Sequence, residues 1–162
     1  MSDFSAFMAG NAQKVGIVKF AVSDRFVEKE LNKKGEPIVT GKDKDGEPIY
    51  KTKPIEWELK AISSEIDEII RSECTKKVPT GKRGQTKLEL DENKYLGRMC
   101  AACVVYPDLK TADLQDSYGA DSPDDLLKKM LLPAEYTDLR VKVMEINGYD
   151  TSMEDLVDEA KN

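Results

Sequence analysis

The segment KPIEWELKAISSEIDEII, residues 53–70, changes its hydrophobic period halfway along its length. Around Trp57, apolar and charged residues alternate, which is typical of a β-strand that buries one face. From residue 62 onward, isoleucines recur at intervals of three and four residues, and Ser63 or Ser64 is placed to cap a helix. The segment therefore predicts a strand that turns directly into a helix, with Trp57 in their shared core.

A tandem repeat precedes this segment. NKKGEPIVTGK (32–42) is followed at once by DKDGEPIYKTK (43–53). Each copy predicts a polar turn that ends in Gly35 or Gly46 and leads into a short strand, whose proline confines it to a sheet edge. Upstream, residues 17–27 alternate as a strand does, so we expect them to pair antiparallel with the Trp57 strand.

Most of the remaining residues carry helical patterns with clear starts. Asp91 precedes a helical pattern that runs to Pro107. A short helix is predicted from Thr111, and Ser122 precedes the helix that follows it. Pro133 begins a further helix, which ends at Asn147 and Gly148. A last helix is predicted after Ser152, where Ser152 and Asp155 resemble a capping box.

These elements predict an α+β fold, a small N-terminal antiparallel β-sheet with a hairpin followed by a mostly α-helical bundle. The chain length of 162 residues suits a single domain with one core. The predicted parts of the domain 1–162 are an N-terminal helix at 1–12, antiparallel strands over 15–62 with a duplicated GEPI hairpin insertion at 32–53, and a helical part over 63–162.

Composition excludes several classes of function. The formal net charge of −6 gives no general attraction to nucleic acid or to anionic membranes, and no apolar run approaches the roughly 20 residues that span a bilayer. The chain contains no histidine, which removes the commonest general base and metal ligand. We therefore expect a cytoplasmic protein that binds neither nucleic acid nor membrane, and that is not an enzyme.

Two motifs nevertheless suggest chemistry. Cys100 and Cys103 form a CxxC pair that, with Cys74, could serve a small metal or redox protein, although their helical context favours buried core residues. The basic segment KKVPTGKRGQTK (76–87) lacks the aromatic residues that stack bases. It is therefore predicted to be a solvated loop or a basic patch that meets an acidic protein partner.

A series of motifs along the chain resembles one protein family. The motifs are FSAFMAGNAQKV, KPIEWELKAIS, RSECTKKVPTGKRGQ, LDENKY, ACVVYPDL, LQDSYG, LLPAEY and EINGYDTSMEDLVDEAKN. In this order and spacing they resemble the XkdN-like tail assembly chaperones of long-tailed phages and Gram-positive prophages. The doubled GEPI segment departs from the family's shorter pattern and resembles an insertion.

The resemblance implies a non-enzymatic chaperone that binds the tape measure protein, assists assembly of the tail tube and its tube protein, and is absent from the mature virion. It implies no catalytic residues and no cofactor. A structural tail subunit is the alternative, and a homo-oligomer is a further expectation. A helix-binding groove favours adaptable Met and Leu side chains, so the candidate partner-binding residues are Met130, Leu131, Met144, Met153, Leu156 and Val157.

Overall fold

The computed structural model describes residues 3–149, in which six strands precede the first α-helix and three more strands lie among the helices that follow. The strands are β1 (Val18–Phe20), β2 (Val27–Lys29), β3 (Val39–Lys42), β4 (Pro48–Tyr50), β5 (Thr52–Pro54), β6 (Trp57–Leu59), β7 (Thr75–Pro79), β8 (Thr86–Leu90) and β9 (Val104–Tyr106). The helices are α1 (Ser64–Glu73), α2 (Glu92–Cys103), α3 (Ala112–Tyr118), α4 (Pro123–Met130) and α5 (Pro133–Ile146).

A three-stranded antiparallel sheet in the order β1-β6-β9 forms the centre of the fold. Phe20 lies opposite Trp57 in its register, which confirms the predicted pairing of the two alternating segments. Trp57 and Leu59 are 2% and 0% exposed, so the middle strand projects both side chains into the core. The prediction that Trp57 belongs to the core is confirmed.

The switch from strand to helix is also confirmed, with Ser63 as the N-cap of α1. Its hydroxyl accepts a hydrogen bond from the Ile66 amide at 3.3 Å. Helix α1 then packs on α2, where the Tyr95 hydroxyl donates to Asp67 and the Arg71 guanidinium lies 4.4 Å from the centre of the Tyr95 ring. Asp91 and Ser122 cap α2 and α4 as predicted.

The α+β class is confirmed, but the predicted order of a sheet followed by a helical bundle holds only in part, because strands continue past residue 63. β7 and β8 form an antiparallel hairpin between α1 and α2. The pattern predicted to be helical as far as Pro107 leaves the helix after Cys103, and β9 pairs with β6. β-Branched Val104 and Val105 favour a strand once an open sheet edge is available beside them.

The GEPI repeat forms two turns of the same geometry at the far end of the β2-β5 hairpin. Asn32 and Asp43 each use their side-chain oxygen to accept two backbone hydrogen bonds, from the residues two and four positions later. Gly35 and Gly46 adopt φ angles of 80° and 81°, which non-glycine residues rarely adopt. Ile38 joins the segments on either side of the two turns, since its amide donates to the Glu30 carbonyl and its carbonyl accepts from the Lys51 amide.

The N-terminal helix predicted over residues 1–12 is wrong in extent. A single short 3₁₀ helix spans Phe4–Phe7, with Asp3 as its N-cap, and it buries none of its residues. Phe4 and Phe7 have no apolar surface to pack on, which leaves nothing to stabilise a longer helix. Between residues 3 and 149, no helix combines the length and apolar composition that crossing a membrane requires.

The helices α2, α4 and α5 pack together around one core. Gly97 permits the close approach of α2 to α5, because a Cβ at this position would lie 3.1 Å from the Tyr136 hydroxyl. The side chains that exclude solvent most completely come from the central sheet and these three helices: Trp57, Leu59, Met99, Cys100, Cys103, Leu126, Leu127, Leu139 and Val143.

Candidate partner-binding surface

The predicted partner-binding residues do not form one exposed stripe. Met130 and Leu131 are core residues, 5% and 7% exposed, and Met144 is half-buried against the same core. Three further predicted residues, Met153, Leu156 and Val157, lie outside the described residues, as does the predicted last helix. The use of these six residues in binding stays a prediction.

Met130 does line an apolar pocket that opens at the surface. Phe26 and Trp57 form one wall, with ring centroids 6.4 Å apart. The volume is about 180 Å³, below the roughly 300–1,000 Å³ typical of small-molecule sites, so the pocket suits a single large side chain better than a cofactor. We call it the aromatic pocket, and its lining is Phe26, Ile55, Trp57, Tyr106, Pro107, Leu114, Tyr118 and Met130.

The rim of the aromatic pocket comes from the end of β9 and from α3. Tyr106 is 49% exposed and Tyr118 is 37% exposed, so both rings are available to a partner. A hydrogen bond of 2.7 Å from the Gln115 side chain to the Leu109 carbonyl ties α3 to the loop that follows β9. Gly119, with φ of 64°, ends α3 directly after Tyr118. The two rim residues are thus held by short, well-terminated elements.

An ionic network joins two walls of the aromatic pocket. The Arg25 guanidinium donates to Glu135 at 2.6 Å and to the Met130 carbonyl at 2.7 Å, and lies 5.1 Å from the centre of the Phe26 ring. Buried Ser23 donates to the same carboxylate. Hydrogen bonds from Arg25 first, and then from Ser23 and the Leu132 amide, lower the pKa of Glu135 to about 2. The network therefore fixes the loop that carries Phe26 to the junction of α4 and α5.

The cysteines lie in an environment unsuited to thiolate chemistry. All three are free and buried. Burial raises the pKa of the Cys100 thiol to about 12 and also raises the pKa of Cys74 and Cys103. Within residues 3–149, no cluster of three cysteine, aspartate or glutamate side chains is arranged to hold a metal ion. This environment disfavours the alternative of a small redox protein.

The basic segment 76–87 forms most of the β7-β8 hairpin instead of a loop. Its side chains are exposed apart from Val78, which is half-buried. In the register of the hairpin, Lys77 lies opposite Leu88 and Val78 opposite Lys87. The prediction of solvated basic side chains is confirmed, but the prediction of a loop is wrong, because antiparallel pairing satisfies the backbone on both sides of the turn.

Sequence reasoning missed the aromatic pocket because its walls come from segments far apart in the chain. A signal was nevertheless present in two of the motifs, ACVVYPDL and LQDSYG, which contain four of its lining residues: Tyr106, Pro107, Leu114 and Tyr118. Exposed tyrosines next to a buried apolar residue are typical of protein interfaces.

Comparison with known proteins gives a consistent result. A model of the phage XkdN-like tail assembly chaperone protein family matches residues 42–161. The chain is 33% identical over 162 residues to the protein YqbN of Bacillus subtilis (strain 168), covering 99% of this chain and 93% of YqbN. It is 32% identical over 162 residues to the phage-like element PBSX protein XkdN of the same strain, covering 99% of this chain and 94% of XkdN.

A solved structure shares the fold. The crystal structure of the protein YqbN superposes with a TM-score of 0.65 at 24% identity, covering 93% of this chain and 99% of that chain. The family match covers far more than half of the chain, and both relatives match along almost its whole length. The chain belongs to the phage XkdN-like tail assembly chaperone family.

Proposed function

We propose that this chain is a non-enzymatic chaperone that binds the tape measure protein during assembly of a phage tail and assists assembly of the tail tube. It acts in the cytoplasm of the bacterial host, and it is absent from the finished particle. Membership of the tail assembly chaperone family supports this proposal, as does the likeness to a protein of a phage-like element. Contact with the tail tube protein and self-association belong to the same proposal.

The open aromatic pocket is the main structural observation in support of the proposal. A partner helix that lies on a protein surface is typically anchored by a few large apolar side chains that enter pockets. The pocket is lined by buried Trp57 and Met130 and has a half-exposed tyrosine rim in Tyr106 and Tyr118. It therefore suits one large apolar side chain of an aggregation-prone helix, such as those expected in a tape measure protein.

The six candidate residues divide into three groups. Met130 lines the pocket. Leu131 lies in the core and Met144 packs against the core, so they contact the partner only if that part of the surface opens. Met153, Leu156 and Val157 are proposed as a second contact, because Met and Leu side chains adapt to varied helical partners.

Co-expression tests the proposal directly. The tape measure protein encoded near this chain is produced with and without it, and the soluble, co-purifying fraction is measured. We expect the tape measure protein to stay soluble and to co-purify only in the presence of this chain. Aggregation in both cultures would contradict the proposal, and recovery of this chain in purified particles would favour a structural tail subunit.

Matched variants locate the contact. The Tyr106→Ala/Tyr118→Ala double variant shortens two half-exposed rim residues and should reduce the co-purifying fraction. The control is Val39→Ala/Ile49→Ala, since these apolar residues are 53% and 47% exposed on the β3-β4 hairpin. An equal loss of binding in both variants would mean that the aromatic pocket is not the specific contact.

A further inference from the structure

The β7-β8 hairpin, residues 75–90, is a positively charged surface on a negatively charged protein. It contains five basic residues and one acidic residue, whereas the chain as a whole has a net charge of −6. Lys76 reaches Asp91 at 3.9 Å. Among residues 3–149, no ion pair includes the four other basic side chains of the hairpin: Lys77, Lys82, Arg83 and Lys87.

The hairpin also exposes an apolar side chain between these charges. Leu88 is 70% exposed and lies opposite Lys77 in the strand register. Alternation along a strand places Thr86 and Leu88 on one face of β8, together with the cross-strand partner Lys77, whereas Lys87 projects from the other face. An apolar contact at Leu88 beside a lysine fits an amphipathic, acidic segment.

The described part of the chain ends close to the base of this hairpin. The Tyr149 amide donates to the Met144 carbonyl at 3.0 Å, which folds the chain back after α5. Hydrogen bonding with Asp67 is the main cause that raises the pKa of Arg71, and the nearby Tyr149 side chain adds to it, so Tyr149 lies beside α1. The Arg71 carbonyl in turn accepts a hydrogen bond of 2.7 Å from Thr75, the first residue of β7.

The thirteen residues beyond Tyr149, DTSMEDLVDEAKN, have the complementary character. Residues 150–162, which we call the acidic segment, contain five acidic residues and one lysine. Met153, Leu156, Val157 and Ala160 recur at helical spacing, with acids on both sides of this stripe. As a helix the acidic segment is about 20 Å long at 1.5 Å per residue. Five-residue strands such as those of the hairpin measure about 17 Å, so the two lengths match.

We propose that the acidic segment packs on the β7-β8 hairpin of the same molecule, with its apolar stripe on Leu88 and its carboxylates beside Lys77 on the same face. The proposal rests on the position of Tyr149, the opposite charges and the matching lengths, and it does not depend on the proposed function. It gives Met153, Leu156 and Val157 an intramolecular contact in the free protein.

Paramagnetic relaxation in the full-length, isotopically labelled protein tests this packing. A nitroxide label on Thr86→Cys reports on the exposed face of β8, and a label on Lys44→Cys, at the turn between β3 and β4, is the control. The three native cysteines are buried, so the label attaches to the introduced thiol. We expect the Thr86→Cys label to remove amide signals of residues 152–160 and the Lys44→Cys label to leave them. The loss should persist when the labelled protein is diluted with unlabelled protein.

Charge reversal supplies the second measurement. Lys77→Glu should restore the amide signals in the protein labelled at Thr86→Cys, whereas the matched change Lys34→Glu in the first GEPI turn should not. Unchanged amide signals of α2 show that each variant is folded. The proposal would be overturned if no signal were lost at residues 152–160, or if the loss disappeared on dilution because it came from a second copy. A loss that survives the charge reversal at Lys77 would also overturn it.

Discussion

The central sheet and the β3-β4 hairpin are both built from short antiparallel strands, yet they contribute differently to the fold. Trp57 and Leu59 of β6 are almost completely buried, whereas every residue of β3 is exposed. Strands were predicted from the sequence in both regions, so the prediction of a strand does not by itself decide burial. The difference is that helices α2, α4 and α5 cover one region and leave the other in solvent. A strand becomes core only where another layer packs on it.

Truncation of the central tryptophan gives the largest expected effect. Trp57→Ala should lower the free energy of unfolding by about 3–5 kcal/mol, because a large buried ring is removed and the surrounding helices close the space only in part. Val39→Ala on β3 should change it by less than about 0.5 kcal/mol, as is usual for surface substitutions. Urea denaturation measures both, and equal values for the two variants would contradict the contrast between the regions.

Loss of the ionic network is expected to have an intermediate effect. Glu135→Gln removes the charge that holds Arg25 and Ser23, and should lower the free energy of unfolding by about 1–2 kcal/mol at neutral pH. This loss of unfolding free energy lies toward the low end of the range for hydrogen bonds to charged groups, because the Arg25 side chain is 44% exposed and solvent screens its charge. Thermal unfolding of both proteins at the same ionic strength provides the measurement.

The pH dependence of this difference has a defined sign. The pKa of Glu135 is lowered from 4.5 to about 2 in the folded protein, so its stabilising contribution is complete above pH 4.5 and is lost as the pH falls toward 2. The difference in unfolding free energy between wild type and Glu135→Gln should therefore shrink over this range. A difference that stays constant from pH 6 to pH 2 would mean that the carboxylate is not the stabilising group.

Removal of residues 38–50 from the duplicated segment 32–53 is expected to have the smallest effect on the unfolding free energy. Deletion of residues 38–50 joins Pro37 to Lys51, which keeps the existing pairs of Leu31 with Pro37 and of Lys29 with Thr52. No residue of the deleted segment is fully buried, and a shorter connection costs little conformational entropy. The unfolding free energy should change by less than about 1 kcal/mol. Loss of cooperative unfolding would show that this hairpin is part of the core.

The sequence predicted the features that depend on neighbouring residues. Ser63, Asp91 and Ser122 cap helices because the side chain and the amide that it accepts from are three residues apart. Burial of Trp57 followed from the alternating pattern around it. The features that were missed depend on distant segments. Val104 and Val105 form a strand only because the edge of β6 is open beside them.

The aromatic pocket was missed for the same reason. Phe26, Trp57 and Tyr118 lie in three segments that only the tertiary fold brings together. The β7-β8 hairpin was missed because the charges of residues 76–87 obscure its weak apolar alternation. Family resemblance, in contrast, was recognisable from the ordered motifs, since these do not require knowledge of which residues are in contact.

If the partner binds at the aromatic pocket, hydrogen exchange should slow there, so exchange is measured in this chain alone and in complex with the tape measure protein. We expect slower exchange on binding in β9 and α3, which carry Tyr106 and Tyr118, and unchanged exchange in the β3-β4 hairpin. Protection confined to the β3-β4 hairpin, or no change in β9 and α3 in a complex that does form, would mean that the partner binds elsewhere.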